Sequence, residues 1–503
     1  MDAGVDVCFT NPGTSEMHFV AALDTEDRMR CVLGLFEGVV TGAADGYARM
    51  AGKPACTLLH LGPGLANGLA NLHNARRAFS PMVNVVGEHA TYHRHLDAPL
   101  TSNIQGFADP VSGWVKVSES AAGVAADGAA AVQAAMGPPG QIATLILPAD
   151  TAWNEPAQPS APLAPAQAPE ASTAGIEAAA AALASGDPCA FLVNGAACTE
   201  TGLGLLGQLA SHCNAQVFAD TFVSRIAGGA GRMPLARLPY FAEQAEQALA
   251  GIEHLILVDT KAPVSFFAYP DKASELTPAG ASVVQLSRIG DDTIPALRAL
   301  VAATGAGRAA TQSAELRRPS LAEGPLTGAS IAQSLAALLP EQAVLVNEAA
   351  TSGFALPQFL ATATPHDMLN LTGGAIGMGL PAALGAAVAC PGRRTVALQA
   401  DGSAMYTLQA LWSMAREGLD VTTVIFANRK YAILQMEFMR VGAHNPGPKA
   451  MDMLDLTRPD LNFVDLARGM GVPGVQATDA ATFNAALAES FATPGPFLIE
   501  ALI

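Results

Sequence analysis

The apolar positions of this chain fall into short continuous runs rather than alternating ones. ACTLLHL, MVNVVG, IATLILP, AFLVNG, HLILVDT, SVVQLS, AVLVNE, RTVALQA and VTTVIFAN are separated by Ala-rich segments of helical character. A run without period-two alternation predicts a strand covered on both faces, the parallel strand of an α/β sheet. Strands alternating with helices in this way predict an α/β fold of three consecutive doubly wound parallel-sheet domains. Two shifts in composition set the boundaries. Residues 154–172, NEPAQPSAPLAPAQAPEAS, form a Pro/Ala-rich stretch that cannot continue helix or strand and predicts a semi-rigid linker. Residues 306–325 are polar with scattered Gly, Ala and Arg and predict a second linker. The expected domains are then 1–153, 173–305 and 326–503.

Composition narrows the partners. Half of the 503 residues are apolar, enough for several cores and about three domains of ordinary size. Only 14% are charged, yet the net charge is −17, which disfavours nucleic acid and anionic membrane surfaces and favours a small substrate. The start, MDAGVDVCFTNPG, has neither a basic n-region nor an apolar h-region, and no later apolar run reaches the roughly 18 residues of a membrane span. A cytoplasmic location is expected. Seven cysteines without CxxC spacing are expected to be reduced and mostly buried.

Ligands of parallel sheets bind beyond the carboxyl ends of the strands, so the residues after each run carry the chemistry. The most informative stretch is 395–431, TVALQADGSAMYTLQALWSMAREGLDVTTVIFANRKY. A strand is expected to end at Ala400, Asp401-Gly402-Ser403 to turn, a helix to run from about Met405 to Glu417, and a second strand to end at Asn428. The spacing of 27 positions is one strand, helix, strand unit, so Asp401 and Asn428 leave the same edge of neighbouring strands. A carboxylate, an amide oxygen and a backbone carbonyl at Lys430 are hard oxygen ligands suited to Mg²⁺. A helix starting beside them directs free N–H groups at an anion, so a diphosphate bridged by Mg²⁺ is the natural occupant. An ordinary strand, turn and helix with Asp as a cap is the plainer alternative.

A second stretch, 33–50, LGLFEGVVTGAADGYARM, is expected to be an apolar helix interrupted near its start by one acid, Glu37. A buried, unpaired carboxylate is costly to ionise and is kept only with a partner or a task. A Glu at a helix start with its side chain in water is the plainer reading. Further candidates follow strand ends: Thr14 in NPGT, His60, and Asn67 after GPG. The Gly-rich LTGGAIGMGLPAALG contains Gly374 and Ile376, and Tyr431 follows the Asn428 turn.

These stretches resemble the thiamine diphosphate (ThDP) enzymes. That family carries a GDG turn, a spacer of this length and an NN pair; here they stand as Ala400-Asp401-Gly402 and Ala427-Asn428. FEGxxxGxADGYAR matches its pyrimidine-domain signature almost residue for residue. The resemblance covers nearly the whole chain, in the domain order of acetolactate synthase, pyruvate oxidase and benzoylformate decarboxylase. It implies that Glu37 hydrogen-bonds N1′ of the aminopyrimidine and promotes the imino tautomer that deprotonates C2. It also implies that the Gly374 carbonyl receives the 4′-amino group, and that Ile376 wedges the cofactor into a V. Asp401, Asn428 and Lys430 would hold Mg²⁺, while Gly402, Ser403, Asn67 and Tyr431 would line the cofactor.

Thr14 and His60 fall where benzoylformate decarboxylase places a Ser and a His. That enzyme's second His belongs in 262–272, APVSFFAYPDK, where Phe266 and Phe267 stand instead. The resemblance implies a 2-oxo acid decarboxylase or carboligase, acetolactate synthase-like, with a benzoylformate decarboxylase-like enzyme that does not ligate as the alternative. It implies a homodimer or homotetramer with active sites between subunits. FAD is not expected, because GAACTETGLG at 195–204 lacks a flavin fingerprint. The usual helix ahead of the first strand is missing or cut short, which leaves the natural start open. Ala400 and the Arg429-Lys430 pair keep open a non-catalytic relative. His89, His93 and His95 have metal-like spacing but no fourth ligand and are expected in a rim loop. Residues 435–447 are expected to cover the cofactor mouth or pack in a core.

Overall fold

The computed structural model describes residues 1–155, 158–443 and 445–503. Pro156 and Ala157 of the expected linker, and His444 of the expected covering segment, lie outside the described residues. Three parallel-sheet α/β domains follow one another. In the first sheet six parallel strands lie in the spatial order Arg30–Leu33, Val7–Asn11, Ala55–Leu59, Met82–Glu88, Ile142–Pro148 and Trp114–Val117. The second has the order Ala236–Arg237, Gln216–Ala219, Cys189–Val193, His254–Val258 and Ser282–Ser287, also parallel. The third has seven strands: Gly474–Ala477, Phe497–Leu502, Val421–Ala427, Thr395–Ala400, Ala343–Glu348, His366–Asn370 and Arg225–Gly228.

The last of these differs from the pattern. Arg225–Gly228 lies within 173–305, yet it pairs antiparallel with His366–Asn370 as an edge of the third sheet. Arg225 pairs with Asp367 at 2.9 Å, which fixes the register. A four-residue strand with one charge carries too little periodicity to reveal its sheet.

The first and third domains share one core. Helix Glu37–Ala51 crosses helix Gly379–Ala389 at close quarters, and the small residues of both motifs make that possible. A Cβ on Gly46 would stand 2.1 Å from the Ala382 carbonyl oxygen, and one on Gly385 would stand 1.8 Å from that of Ala43. Interiors packed this tightly leave no room for a methyl group. The Asp and Arg of ADGYAR form a buried ion pair, Arg49 Nη2 to Asp45 Oδ2 at 2.5 Å. Arg49 also donates to the Asn370 carbonyl at 2.7 Å and to Thr372 Oγ1 at 3.0 Å, so its charge is spent across the domain seam. No helix among the described residues is long and apolar enough to cross a membrane.

Candidate active site

Glu37 does not interrupt a helix. Arg30–Leu33 is a strand, Phe36 is extended, and Glu37 is the first residue of helix Glu37–Ala51. The expected helix over 33–36 is absent because those residues belong to the sheet and its exit turn. Glu37 is 7% exposed, and Asn67 Nδ2, from helix Leu61–Arg77, donates to its Oε2 at 3.0 Å. Gly64 leaves room for that carboxylate, since a Cβ there would lie 3.2 Å from Oε1.

His60 caps the same helix and meets a partner that sequence reading missed. Glu16, 3% exposed, holds His60 Nδ1 at 2.8 Å, accepts the Gly13 N–H at 2.8 Å, and accepts from Ser15 Oγ at 2.7 Å. A carboxylate against Nδ1 requires the imidazole proton there, which leaves Nε2 as the free nitrogen of the neutral ring. The Gly of NPG is needed for contact rather than for turn geometry: a Cβ on Gly13 would sit 2.1 Å from His60 Nδ1. Thr14 is exposed at the start of the short Thr14–Glu16 turn, and it is Ser15 and Glu16 that face His60. The signal available in the sequence was an acid two residues after Thr14, at the carboxyl end of a strand.

At the third sheet, Asp401 follows strand Thr395–Ala400 and is 3% exposed. Its Oδ1 accepts Gly402 N–H at 2.8 Å and its Oδ2 accepts Arg429 N–H at 2.6 Å. Burial pushes its carboxyl above the ordinary range, against the opposing pull of these N–H groups. Arg429 takes a left-handed φ of 59°, which folds the Asn428 turn back over Asp401. Asn428 Oδ1 accepts Lys430 N–H at 3.1 Å, and its Nδ2 donates to Ser352 Oγ at 3.3 Å. A buried carboxylate, and the amide oxygen of a turn whose Arg429 N–H is bonded to that carboxylate, are ligands of the hard oxygen type that Mg²⁺ takes. Tyr431 lies over Gly402, where a Cβ would be 2.5 Å from its ring. Of the expected helix over 405–417 only Ala410–Arg416 forms; Asp401–Ala404, expected as a turn, is a short helix of its own, and Thr407 between the two donates to the Gly377 carbonyl at 2.8 Å.

The Gly-rich loop before helix Gly379–Ala389 is clamped from both sides. Asn74 bonds Ala375 through its carbonyl at 2.7 Å and its N–H at 3.3 Å, and His73 meets the Gly373 carbonyl at 3.0 Å. Gly374 has φ +77°, and the Phe266 ring packs on it; a Cβ would meet that ring at 2.7 Å. Phe266 belongs to an aromatic group with Phe222, Tyr240 and Phe267, at centroid distances of 5.0, 5.3 and 4.6 Å. Ile376 is half-buried in the same loop.

The remaining expectations concern the rim and the middle domain. The rings of His89 and His93 lie 5.4 Å apart at a tilt of 51°, and no group of three metal-ligating His, Cys, Asp or Glu side chains occurs among the described residues. The crevice above the second sheet, about 330 Å³, is lined by Asn194, Gly195, Asp259, Asp291 and Asp292 among others. Asp259 Oδ2 takes the Ala196 N–H at 3.1 Å, so a carboxylate of the chain already occupies that donor.

Comparison with known proteins agrees with these motifs. Residues 1–111 match the model "Thiamine pyrophosphate enzyme, N-terminal TPP binding domain", and residues 348–501 match "Thiamine pyrophosphate enzyme, C-terminal TPP binding domain". A Mycobacterium tuberculosis protein provisionally named acetolactate synthase large subunit IlvX is 53% identical, over 100% of this chain and 97% of its own length. Benzoylformate decarboxylase of Pseudomonas aeruginosa is 31% identical, over 99% of this chain and 96% of its own length. The solved Rhodococcus jostii 4-hydroxybenzoylformate decarboxylase has the same fold: TM-score 0.86, 24% identity, 99% of this chain and 96% of that one. The chain belongs to the thiamine diphosphate-dependent enzyme family, on the side of acetolactate synthase-like proteins and benzoylformate decarboxylases.

Proposed function

We propose that this chain is a ThDP- and Mg²⁺-dependent lyase or transferase, acetolactate synthase-like, that removes CO₂ from a 2-oxo acid and then protonates the product or joins it to a second carbonyl. The observation that carries the reading is Glu37: an enclosed carboxylate whose side-chain partner is Asn67, on the same helix that His60 caps. Bound ThDP supplies a carbon nucleophile and an electron sink for loss of CO₂. Glu37 would hold a proton at the aminopyrimidine, and the Gly374 carbonyl and Ile376 would seat that end of the cofactor. Asp401, Asn428 and the Lys430 carbonyl would hold Mg²⁺, with Gly402, Ser403 and Tyr431 lining the diphosphate end. His60, its Nδ1 tied to Glu16, moves protons through Nε2.

Large apolar side chains remain exposed beside both halves of the site: Leu35, Phe354, Met405 and Tyr406. Such surface suits a second copy of the chain, consistent with a homodimer or a pair of dimers whose active sites lie between subunits. Sedimentation of the purified protein as a monomer at micromolar concentration would refute this.

The test of function is Glu37→Gln. Turnover should fall about 10³-fold while ThDP binding, read by calorimetry, is kept. Unchanged turnover removes the role. A second reading, decarboxylation without ligation, is favoured by the Phe266 wall where a small aliphatic acceptor gains little. A panel of 2-oxo acids with product mass detection separates the two: aldehyde alone supports the second reading, and a 2-hydroxy ketone or acetohydroxy acid supports the first. Phe266→Ala should shift preference from aryl towards small aliphatic substrates by about tenfold in kcat/KM ratio.

A further inference from the structure

Glu348 ends strand Ala343–Glu348 and is 4% exposed. Among the described residues no cationic side chain forms an ion pair with it. Its Oε1 accepts the N–H groups of Gly377 and Met378 at 2.8 and 3.2 Å, and its Oε2 accepts those of Gly379 and the Gln399 amide, both at 2.8 Å. Three consecutive backbone donors of one loop therefore converge on one carboxylate, directly after Ile376. The loop has little alternative: Gly377 has φ +98°, and a Cβ on Gly379 would stand 2.1 Å from Gln399 Oε1.

The chain of bonds continues. Gln399 Nε2 also donates to Ser403 Oγ at 2.5 Å, and Ser403 Oγ donates to the Ala400 carbonyl at 3.1 Å. Glu348 thus joins the 373–379 loop to the turn that carries Asp401, the two places where the proposed function seats the two ends of the cofactor. We propose that Glu348 is a positioning residue, whose carboxylate sets the loop bearing Gly374 and Ile376 at the height and angle that ThDP requires relative to Asp401. The proposal rests on the cofactor reading given above. An acceptor of three fixed backbone donors cannot be replaced by an amide without conflict, because the amide NH₂ must face either the Gly377 and Met378 N–H groups or the Gly379 N–H.

The experiment compares Glu348→Gln with the unaltered chain in two readouts. In the first, calorimetry measures ThDP with Mg²⁺, and separately inorganic pyrophosphate with Mg²⁺, which occupies only the diphosphate end. The variant should bind ThDP at least tenfold more weakly and pyrophosphate within twofold of the unaltered chain. In the second, hydrogen exchange of cofactor-free protein should show the 374–379 amides exchanging at least tenfold faster, with other buried segments unchanged. Equal loss for both probes, or ThDP affinity within twofold, overturns the positioning role. Absence of ThDP binding by the unaltered chain overturns the cofactor reading and the positioning role with it. Exchange at 374–379 that stays unchanged overturns the hold on the loop by itself. If Glu348→Gln does not fold, Glu348→Asp keeps the charge with a shorter reach; a selective loss of ThDP over pyrophosphate supports the role, and equal behaviour of the two probes overturns it.

Discussion

The two ends of the site hold their acids by different means. In the first domain, Glu37 and Glu16 are held by side chains: Asn67 on one, Ser15 and His60 on the other, with a single backbone N–H from Gly13. In the third domain, Asp401 and Glu348 are held almost wholly by backbone N–H groups of loops. A side-chain partner can turn its amide or its ring to suit a new neighbour, whereas a backbone donor cannot. The first arrangement tolerates a change in protonation or in substrate, as proton chemistry demands. The second fixes a shape, as the proposed seating of Mg²⁺ and ThDP demands.

That contrast is open to direct challenge. The largest effect is expected for Asp401→Asn, where an NH₂ would face a fixed N–H and the cation would lose its charged ligand. Mg²⁺-dependent ThDP affinity should fall on the order of 100-fold in a calorimetric titration. Retained affinity would mean that the backbone-held acid is not a ligand. A middle-sized effect is expected for Glu16→Gln: the amide oxygen can still accept from His60 Nδ1, so turnover should fall only about tenfold, against about 100-fold for His60→Ala. Equal losses would show that Glu16 does more than orient the ring.

The smallest effect lies outside the site, at Asp259, whose carboxyl is pushed up to about 6 chiefly by burial. A carboxyl whose folded value is raised lowers stability progressively as pH rises from the unfolded value to the folded one, and fully above it, because the unfolded chain ionises it more cheaply. Asp259→Asn should therefore stabilise the protein at pH 8 by at most about 3 kcal/mol, and the gain should fade as pH drops from about 6 to about 4. Thermal melts at pH 8 and pH 4.5 check it. A gain that persists at the lower pH would point to altered hydrogen bonding rather than to charge.

Much of the fold was legible because buried parallel strands leave continuous apolar runs, and these gave the three sheets. Arg225–Gly228 was not legible, since its sheet membership is a backbone pairing with the distant strand His366–Asn370 that its own short pattern does not reveal. In the site, Glu37, Asp401 and Asn428 stood out because an acid or amide after an apolar run is conspicuous. Glu16 and Glu348 were missed for opposite reasons. Glu16 is one acid in a polar turn, and only the approach of His60 from another strand gives it meaning. Glu348 ends a strand with no motif of its own, and its partners are backbone groups that any residues could supply. The helix over 405–417 was read as continuous because the bond from Thr407 to Gly377 is invisible to local spacing.

The glycine-to-carbonyl crossing of Gly46 on Ala382 and Gly385 on Ala43 has a further consequence. It welds the first and last thirds of the chain into one chassis that tolerates almost no sequence drift at the weld. The 262–272 loop of the intervening third, which brings Phe266 and Phe267 to the mouth, contains no glycine and makes no such crossing. Selection could retune that loop for new substrates while the cofactor apparatus stayed untouched, so relatives acting on different acids should differ most in the middle of the chain and least along the weld.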